Sequence, residues 1–286
     1  MSKKKKPLPK KVTPKKGTKK VISKKRFKQK PKAKPAPEKK ITPTEPPELV
    51  ILFKVTSRSR PDRFKFAVNN IIEKCNNTAY VILASADTND HTMNNPEIIQ
   101  FCQDRNVLLF YGESKNKIDA INRDINNNSY LPKWDILINV SDDQYFLEKG
   151  FDDVIRNDFE KYFPEGDGMM HYPDNNRNDL MTMSIMDYKY YSRTNRVYFE
   201  KFESVYCDDA AMGEAKALGK YLTGNENEFL KFLPRRLYNH DHPAYGKPEL
   251  WDDLYRQNES KKVFLKDELT FNWWKDNNFG IPKPKK

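Results

Sequence analysis

The stretch that most restricts this chain is Trp134-Asp135-Ile136-Leu137-Ile138-Asn139-Val140, an apolar run that ends abruptly in Ser141-Asp142-Asp143-Gln144. A short run of this kind reads as a strand buried on both faces, which is the habit of a parallel sheet. Ligands of open α/β sheets collect beyond the carboxyl ends of the strands, so a pair of carboxylates there is placed to meet one. Adjacent carboxylates repel and are costly to desolvate, and a hard divalent cation bridging to phosphate oxygens relieves both problems. The bland alternative is a turn in which Asp142 or Asp143 caps the following helix.

The rest of the first half repeats the pattern. Leu49 to Val55 is a second apolar run, entering the polar, glycine-free turn Thr56-Ser57-Arg58-Ser59-Arg60-Pro61-Asp62. Pro61 suits the first turn of a helix carrying Phe64, Val68, Ile71, Ile72 and Cys75 at helical spacing. Further strands are expected at Thr78 to Ala84, ending near Asp87, and at Val107 to Tyr111, with a helix from Pro96 to about Arg105 between them. Gly112 to Asn122 then opens a helix with Ile118, Ile121 and Ile125 inside. Strand and helix alternation with short connections predicts a right-handed, Rossmann-like α/β layer.

Beyond the acidic pair the alternation weakens. A helix is expected over Gly150 to Phe163, a short strand over Gly168 to Tyr172, and further strands at Leu180 to Asp187 and Arg196 to Phe199. Cys207-Asp208-Asp209 begins an Ala-rich helix ending near Gly219, where glycine favours termination. Phe229 to Pro234 leads to Asn239-His240-Asp241-His242-Pro243.

Charge divides the chain more sharply than any motif. The net +12 of the 286 residues is carried by residues 1–48, with 19 Lys/Arg against 3 Asp/Glu, while the remainder has 33 against 37. That Lys/Pro-rich stretch has too little apolar surface to offset ordering entropy, and the expectation is a disordered tail. It can tether the protein to a polyanion or simply act as a soluble spacer. It lacks the apolar core of a signal peptide, and no later run is long enough to span a bilayer. A soluble, non-secreted protein of the cytoplasm is expected, including that of a virus-infected host cell. Cys75, Cys102 and Cys207, odd in number and without metal-ligand spacing, fit reduced core thiols.

In this order, the Thr56–Asp62 turn, the Asp87 strand end, the Gly112–Asn122 loop and helix, Ser141-Asp142-Asp143 and Cys207-Asp208-Asp209 resemble a GT-A glycosyltransferase of the glycosyltransferase family 2 type. The resemblance covers roughly residues 49–245. It implies a mixed sheet flanked by helices, with a nucleotide-sugar-binding half over 49–145 and an acceptor half over 146–286, and a donor that is often UDP-linked. It places Thr56 and Arg58 near the nucleotide, Asp87 on the base, and Lys117 near the ribose or diphosphate. Asp143 matches the metal-binding acidic position and Asp142 the one that reaches ribose or a metal-bound water. Ser141 stands where the first Asp of the common Asp-x-Asp motif would be, which leaves the division of labour between Asp142 and Asp143 open. Asp209, with Asp208 as alternate, falls where inverting members keep the catalytic base, and both also suit a helix N-terminus. His240 and His242 lie two apart, so both can face one site from an extended segment, and such enzymes often complete a Mn2+ or Mg2+ site with a late histidine.

The acceptor stays open among a saccharide, a protein side chain and a modified nucleic-acid base. Three rival readings stand beside this one: an inactive domain of this fold in a structural or nucleic-acid-binding protein held by its basic tail, a nucleotidyltransferase, and a metal hydrolase built on His240 and His242. The second is disfavoured by the glycine-free turn after the first strand, and the third by the lack of further ligands.

Overall fold

The computed structural model describes residues 48–127, 129–222, 235–245 and 250–282. The basic tail and the Phe229 to Pro234 segment lie outside the described residues. The compact unit is Pro46–Lys286.

Its first half is β1 (Ile51–Thr56), α1 (Pro61–Lys74), β2 (Tyr80–Asp87), α2 (Pro96–Gln103), β3 (Leu108–Gly112), α3 (Lys117–Asn122) and β4 (Ile136–Ser141). β1 lies between β2 and β4, parallel to both, and β3 extends the sheet beyond β2. The register sets Thr56 opposite both Ser85 and Ser141, so three small polar residues share one level at the carboxyl ends. Alternation along β1 then feeds two cores. Ile51, Phe53 and Val55 pack with Phe64, Val68, Ile71 and Ile98 of α1 and α2, whereas Leu52 packs with Ile118, Ile121 and Leu137 on the opposite face. Each fully buried side chain of this size contributes about 1.5–3 kcal/mol, so β1 is the spine of the domain. Side-chain caps fix two helix starts beside the carboxyl edge. Asn95 accepts from the Ile98 N–H at 3.1 Å, and Asn116 from the Asp119 N–H at 2.9 Å.

The second half is built from β5 (Gln144–Phe146), α4 (Phe151–Tyr162), β6 (Met169–Met170), β7 (Ile185–Asp187), α5 (Tyr188–Tyr191), α6 (Cys207–Ala217), β8 (Tyr221–Leu222), β9 (Tyr238–His240), α7 (Asp253–Asn258) and α8 (Lys261–Asp276). The main sheet continues antiparallel from β4 through β7 to β6, giving the order β3-β2-β1-β4-β7-β6-β8. This is the mixed α/β sheet flanked by helices that the sequence resemblance implies. β5 leaves it and pairs with β9, bringing His240 level with Gln144.

Several elements are shorter than periodicity predicts. Of Leu180 to Asp187 only the last three residues are strand, and Gly168 to Tyr172 keeps two. Arg196 to Phe199 is not a strand. It is a buried turn whose Val197 and Tyr198 N–H groups donate to Asn122 Oδ1 at 2.9 and 3.0 Å, so one side chain satisfies backbone that a ladder would otherwise have taken. Neither Asp142 nor Asp143 caps a helix, because the chain turns straight into β5 and α4 begins after Gly150. Among the described residues no helix is long and apolar enough to cross a membrane.

Candidate active site

A cleft of about 630 Å3 opens over the carboxyl ends of β1, β2 and β4. Thr56, Arg58, Asp87, Lys117, Asp142, Asp143, Asp208, Asp209, His240 and His242 all line it, so every residue singled out from the sequence reaches one space.

The acidic pair is held apart by different partners. Gln144 closes the turn after β4, its Oε1 accepting the Ser141 N–H at 2.9 Å and its Nε2 donating to the Thr182 carbonyl at 2.7 Å. Asp142 turns toward the β1 loop, accepting Ser57 Oγ at 2.7 Å with the Arg60 guanidinium at 3.3 Å. Burial and the neighbouring Asp143 charge push Asp142 up to about 6. Asp143 turns the other way, toward His240 and the Tyr255 hydroxyl, which donates to its Oδ2. Burial works against its charge as well, but the His240 charge, aided by hydrogen bonds and by Lys117, outweighs it and holds Asp143 below the usual carboxylate range.

His240 sits between two carboxylates, with Nε2 3.4 Å from Asp143 Oδ1 and Nδ1 3.5 Å from Asp174 Oδ2. Burial lowers its basicity, yet Asp143 and Asp174 raise it to about 9. Asp174 is itself fixed by Thr182 Oγ1 and by the backbone N–H groups of Asn176 and Arg177, at 2.6 to 2.7 Å. A carboxylate behind an imidazole that faces a second carboxylate is the way metal-binding histidines are oriented. Asp143 Oδ1 is buried and makes no close hydrogen bond; it faces the His240 ring across 3.4 Å, which leaves a charged oxygen only weakly satisfied. These two groups, one carboxylate oxygen and one imidazole nitrogen, fit a divalent ion that takes its remaining ligands from a diphosphate and water, and nitrogen in the set favours Mn2+ over Mg2+. Among the described residues no three His, Cys, Asp or Glu side chains enclose such an ion unaided.

His242 is placed differently. Its ring lies 5.1 Å from that of His240, but its Nε2 pairs with Glu259 Oε1 at 2.9 Å and its Nδ1 accepts the Ala244 N–H at 3.2 Å. Both ring nitrogens are therefore engaged away from Asp143.

At the carboxyl ends of β1 and β2, the Arg58 guanidinium pairs with Asp87 and reaches Asn89 Oδ1 at 2.9 Å, and Arg123 stands 3.8 Å from the other Asp87 oxygen. Asp87 is thus oriented by two guanidinium groups at the strand end. Lys117 is exposed at the first position of α3 and bears electrostatically on both Asp143 and Asp208. On the far wall, Asp208 and Asp209 begin α6. Asp208 accepts the Asp209 N–H at 3.0 Å, and burial together with Asp208 raises Asp209 to about 6.

Three contributors were not legible in the sequence: Asp174, and Asp252 and Tyr255 at the start of α7, carry no motif, while Arg60 lies in the Thr56–Asp62 turn but had no role assigned to it. Arg60 makes a two-pronged ion pair with Asp252 at 2.6 and 2.7 Å and lies 4.2 Å above the Tyr255 ring, which ties α7 to the wall carrying Asp142 and Asp143. The one available signal was Asp252 ahead of a short amphipathic segment, which reads as a helix cap and no more; it does cap α7, accepting the Tyr255 N–H at 2.9 Å.

No protein-family model matches this sequence, and no curated protein does. Similar solved structures include a mannosyltransferase of Pyrobaculum calidifontis in complex with GDP-Man and Mn2+, 10% identical over 62% of this chain and 55% of that chain, with a TM-score of 0.48. S. aureus TarS 1-349 in complex with UDP is 12% identical over 82% of this chain and 72% of its own, with a TM-score of 0.49. A Leptospira borgpetersenii cytidylyltransferase scores 0.36 at 12% identity, over 51% of this chain and 63% of that one. The chain spans 55% of the mannosyltransferase and 43% of the longer TarS chain. Likenesses of this size leave the chemistry of the cleft to its own residues.

Proposed function

We propose that this protein is a metal-dependent, inverting glycosyltransferase that takes a hexose from a nucleotide-sugar donor, UDP-linked by the resemblance of its motifs, to an acceptor hydroxyl. The observation that carries the reading is the buried Asp143 Oδ1 facing His240 Nε2 across 3.4 Å, without a close hydrogen bond, at the strand end of a large cleft. Asp143 and His240 would hold Mn2+ or Mg2+ with the donor diphosphate, and His242 would support that wall through Glu259. When bound, the ion supplies positive charge against the diphosphate as it leaves.

The chain's own residues supply the rest. Thr56, Arg58 and Asp87 receive the nucleotide, Asp142 is within the same turn for ribose, and Lys117 adds a cation near the diphosphate. Asp209 takes the proton of the acceptor hydroxyl as its oxygen bonds to the anomeric carbon, while the pair of the breaking carbon–oxygen bond passes to the diphosphate. A carboxyl at about 6 is well matched to that task near neutral pH, being ionised yet basic. Asp208 positions Asp209 and is the alternate base.

The test is a donor panel of UDP- and GDP-hexoses, read by nucleotide release with and without Mn2+. Asp143→Ala is expected to abolish the Mn2+-dependent component. A variant turning over at the wild-type rate would remove Asp143 from the metal site.

A further inference from the structure

We propose that the acceptor is a saccharide, seated between Tyr245 on one side and the Tyr206–Phe264 pair on the other, next to Asp209; the inference rests on the transferase reading above. The cleft has two chemically distinct parts. Over β1 to β3 it presents Arg58, Lys115 and Lys117, cations suited to a nucleoside diphosphate. The part built from elements after β4 is aromatic, amide-bearing and acidic, lined by Tyr206, Tyr245, Phe264, Gln257 and Asn258 beside Asp208, Asp209 and Glu259.

Two of these rings are open to a ligand. Tyr245 is 43% exposed and Phe264 44% exposed, unusual for large rings inside a concave site. Tyr206 directly precedes the Cys207-Asp208-Asp209 turn of α6 and stands at φ 59, a left-handed conformation that costs a bulky residue about 1 kcal/mol or more. It is held there by Phe264 at 5.1 Å, edge to face, and by Phe271 at 5.5 Å, stacked. The chain therefore spends backbone strain to set an aromatic wall beside the candidate base. Such rings cover the C–H faces of a pyranose, while the Gln257 and Asn258 amides can hydrogen-bond its hydroxyls.

Charge separates a sugar from the other ring-bearing acceptor, a nucleic-acid base. Bases also stack on aromatics, but the strand carrying them needs cations for its phosphates. Among the described residues lining this part, Arg177 is paired with Asp179 at 2.9 Å through two nitrogens, and His240 lies between Asp143 and Asp174, so these cations are already matched by carboxylates. A neutral polyhydroxylated ligand fits that field, and a polyphosphate chain does not.

The experiment measures Mn2+-dependent UDP and GDP release from the hexose donors against three panels: p-nitrophenyl mono- and disaccharides, Ser/Thr peptides, and single-stranded oligonucleotides bearing 5-hydroxymethylpyrimidines. The saccharides are expected to stimulate release. Tyr245→Ala and Phe264→Ala should each raise the saccharide KM about tenfold. Stimulation by peptides or oligonucleotides without stimulation by saccharides overturns the proposal, as does a saccharide response that neither alanine variant alters. UDP and GDP binding, followed separately by calorimetry, tells the two levels apart. Nucleotide binding with no saccharide response removes the acceptor assignment alone, whereas absence of nucleotide binding removes the transferase reading and the acceptor with it.

Discussion

Asp209 meets two demands that pull in opposite directions. As the proposed base it must be ionised, yet burial and the Asp208 charge favour its neutral form and raise it to about 6 from an ordinary 3.8. The folded state therefore binds the proton more tightly than the unfolded chain, and its stability falls as pH rises from about 4 to about 6. Asp209→Asn should remove that loss, leaving the variant at least as resistant to urea as wild type at pH 7, while transfer drops by roughly 10²- to 10⁴-fold with UDP affinity retained. Wild-type transfer should decline as pH falls below about 6, and a rate flat from pH 5 to 8 would take Asp209 out of the base role. Lys54 shows the mirror case. It is fully buried in β1, donating to Ser85 Oγ and to the Arg123 carbonyl at 3.0 Å, and burial lowers it to about 7. The unfolded chain then binds more protons between pH 7 and 10.5, so wild-type stability should rise with pH across that window. Lys54→Met should flatten the slope, which urea denaturation at pH 7 and pH 9 would read. Lys54 was not legible as buried from sequence, because a lysine in an apolar strand reads as an outward-facing interruption.

At the scale of elements, α6 carries the candidate base but α8 holds it in place. Asp267, the buried residue of α8, accepts the backbone N–H groups of Glu203, Ser204 and Val205 at 2.8 to 3.1 Å, fixing the loop that enters α6. Asp267→Ala would leave one buried and two part-buried donors without an acceptor, and a loss of about 2–3 kcal/mol in chemical denaturation is expected. Asp267→Asn keeps one accepting oxygen and should lose less. If both variants unfold at the wild-type denaturant concentration, the loop is held by its aromatic packing instead. The helices of the first half were readable because each joins a local cap or proline to an apolar face, as Pro61 and Phe64 do in α1. β5 and β9 were not. Three residues each and paired across 92 to 96 positions, from Phe146 with Tyr238 to Gln144 with His240, they carry no period that distinguishes them from turns.

At the scale of the molecule, charge separates the chain into a basic segment and a domain of opposite sign, +16 against −4 by residue count. Deleting residues 1–46 should leave donor turnover intact and abolish binding to heparin or DNA that weakens steeply between 50 and 300 mM salt. Retained binding would place the polyanion contact on the folded domain. The α/β class, the strand ends that carry Thr56, Asp87 and Asp143, and the helix start at Asp208 were legible from sequence alone, because each depends on a period or a terminus only a few residues long. What the tertiary structure decided is pairing. It set His240 rather than His242 against Asp143, put Asp174 behind the imidazole, turned Asp142 toward Arg60, and brought Tyr255 across 112 positions to the same carboxylate. No local pattern encodes those contacts, since they follow from which strand ends share an edge once both faces of β1 are buried.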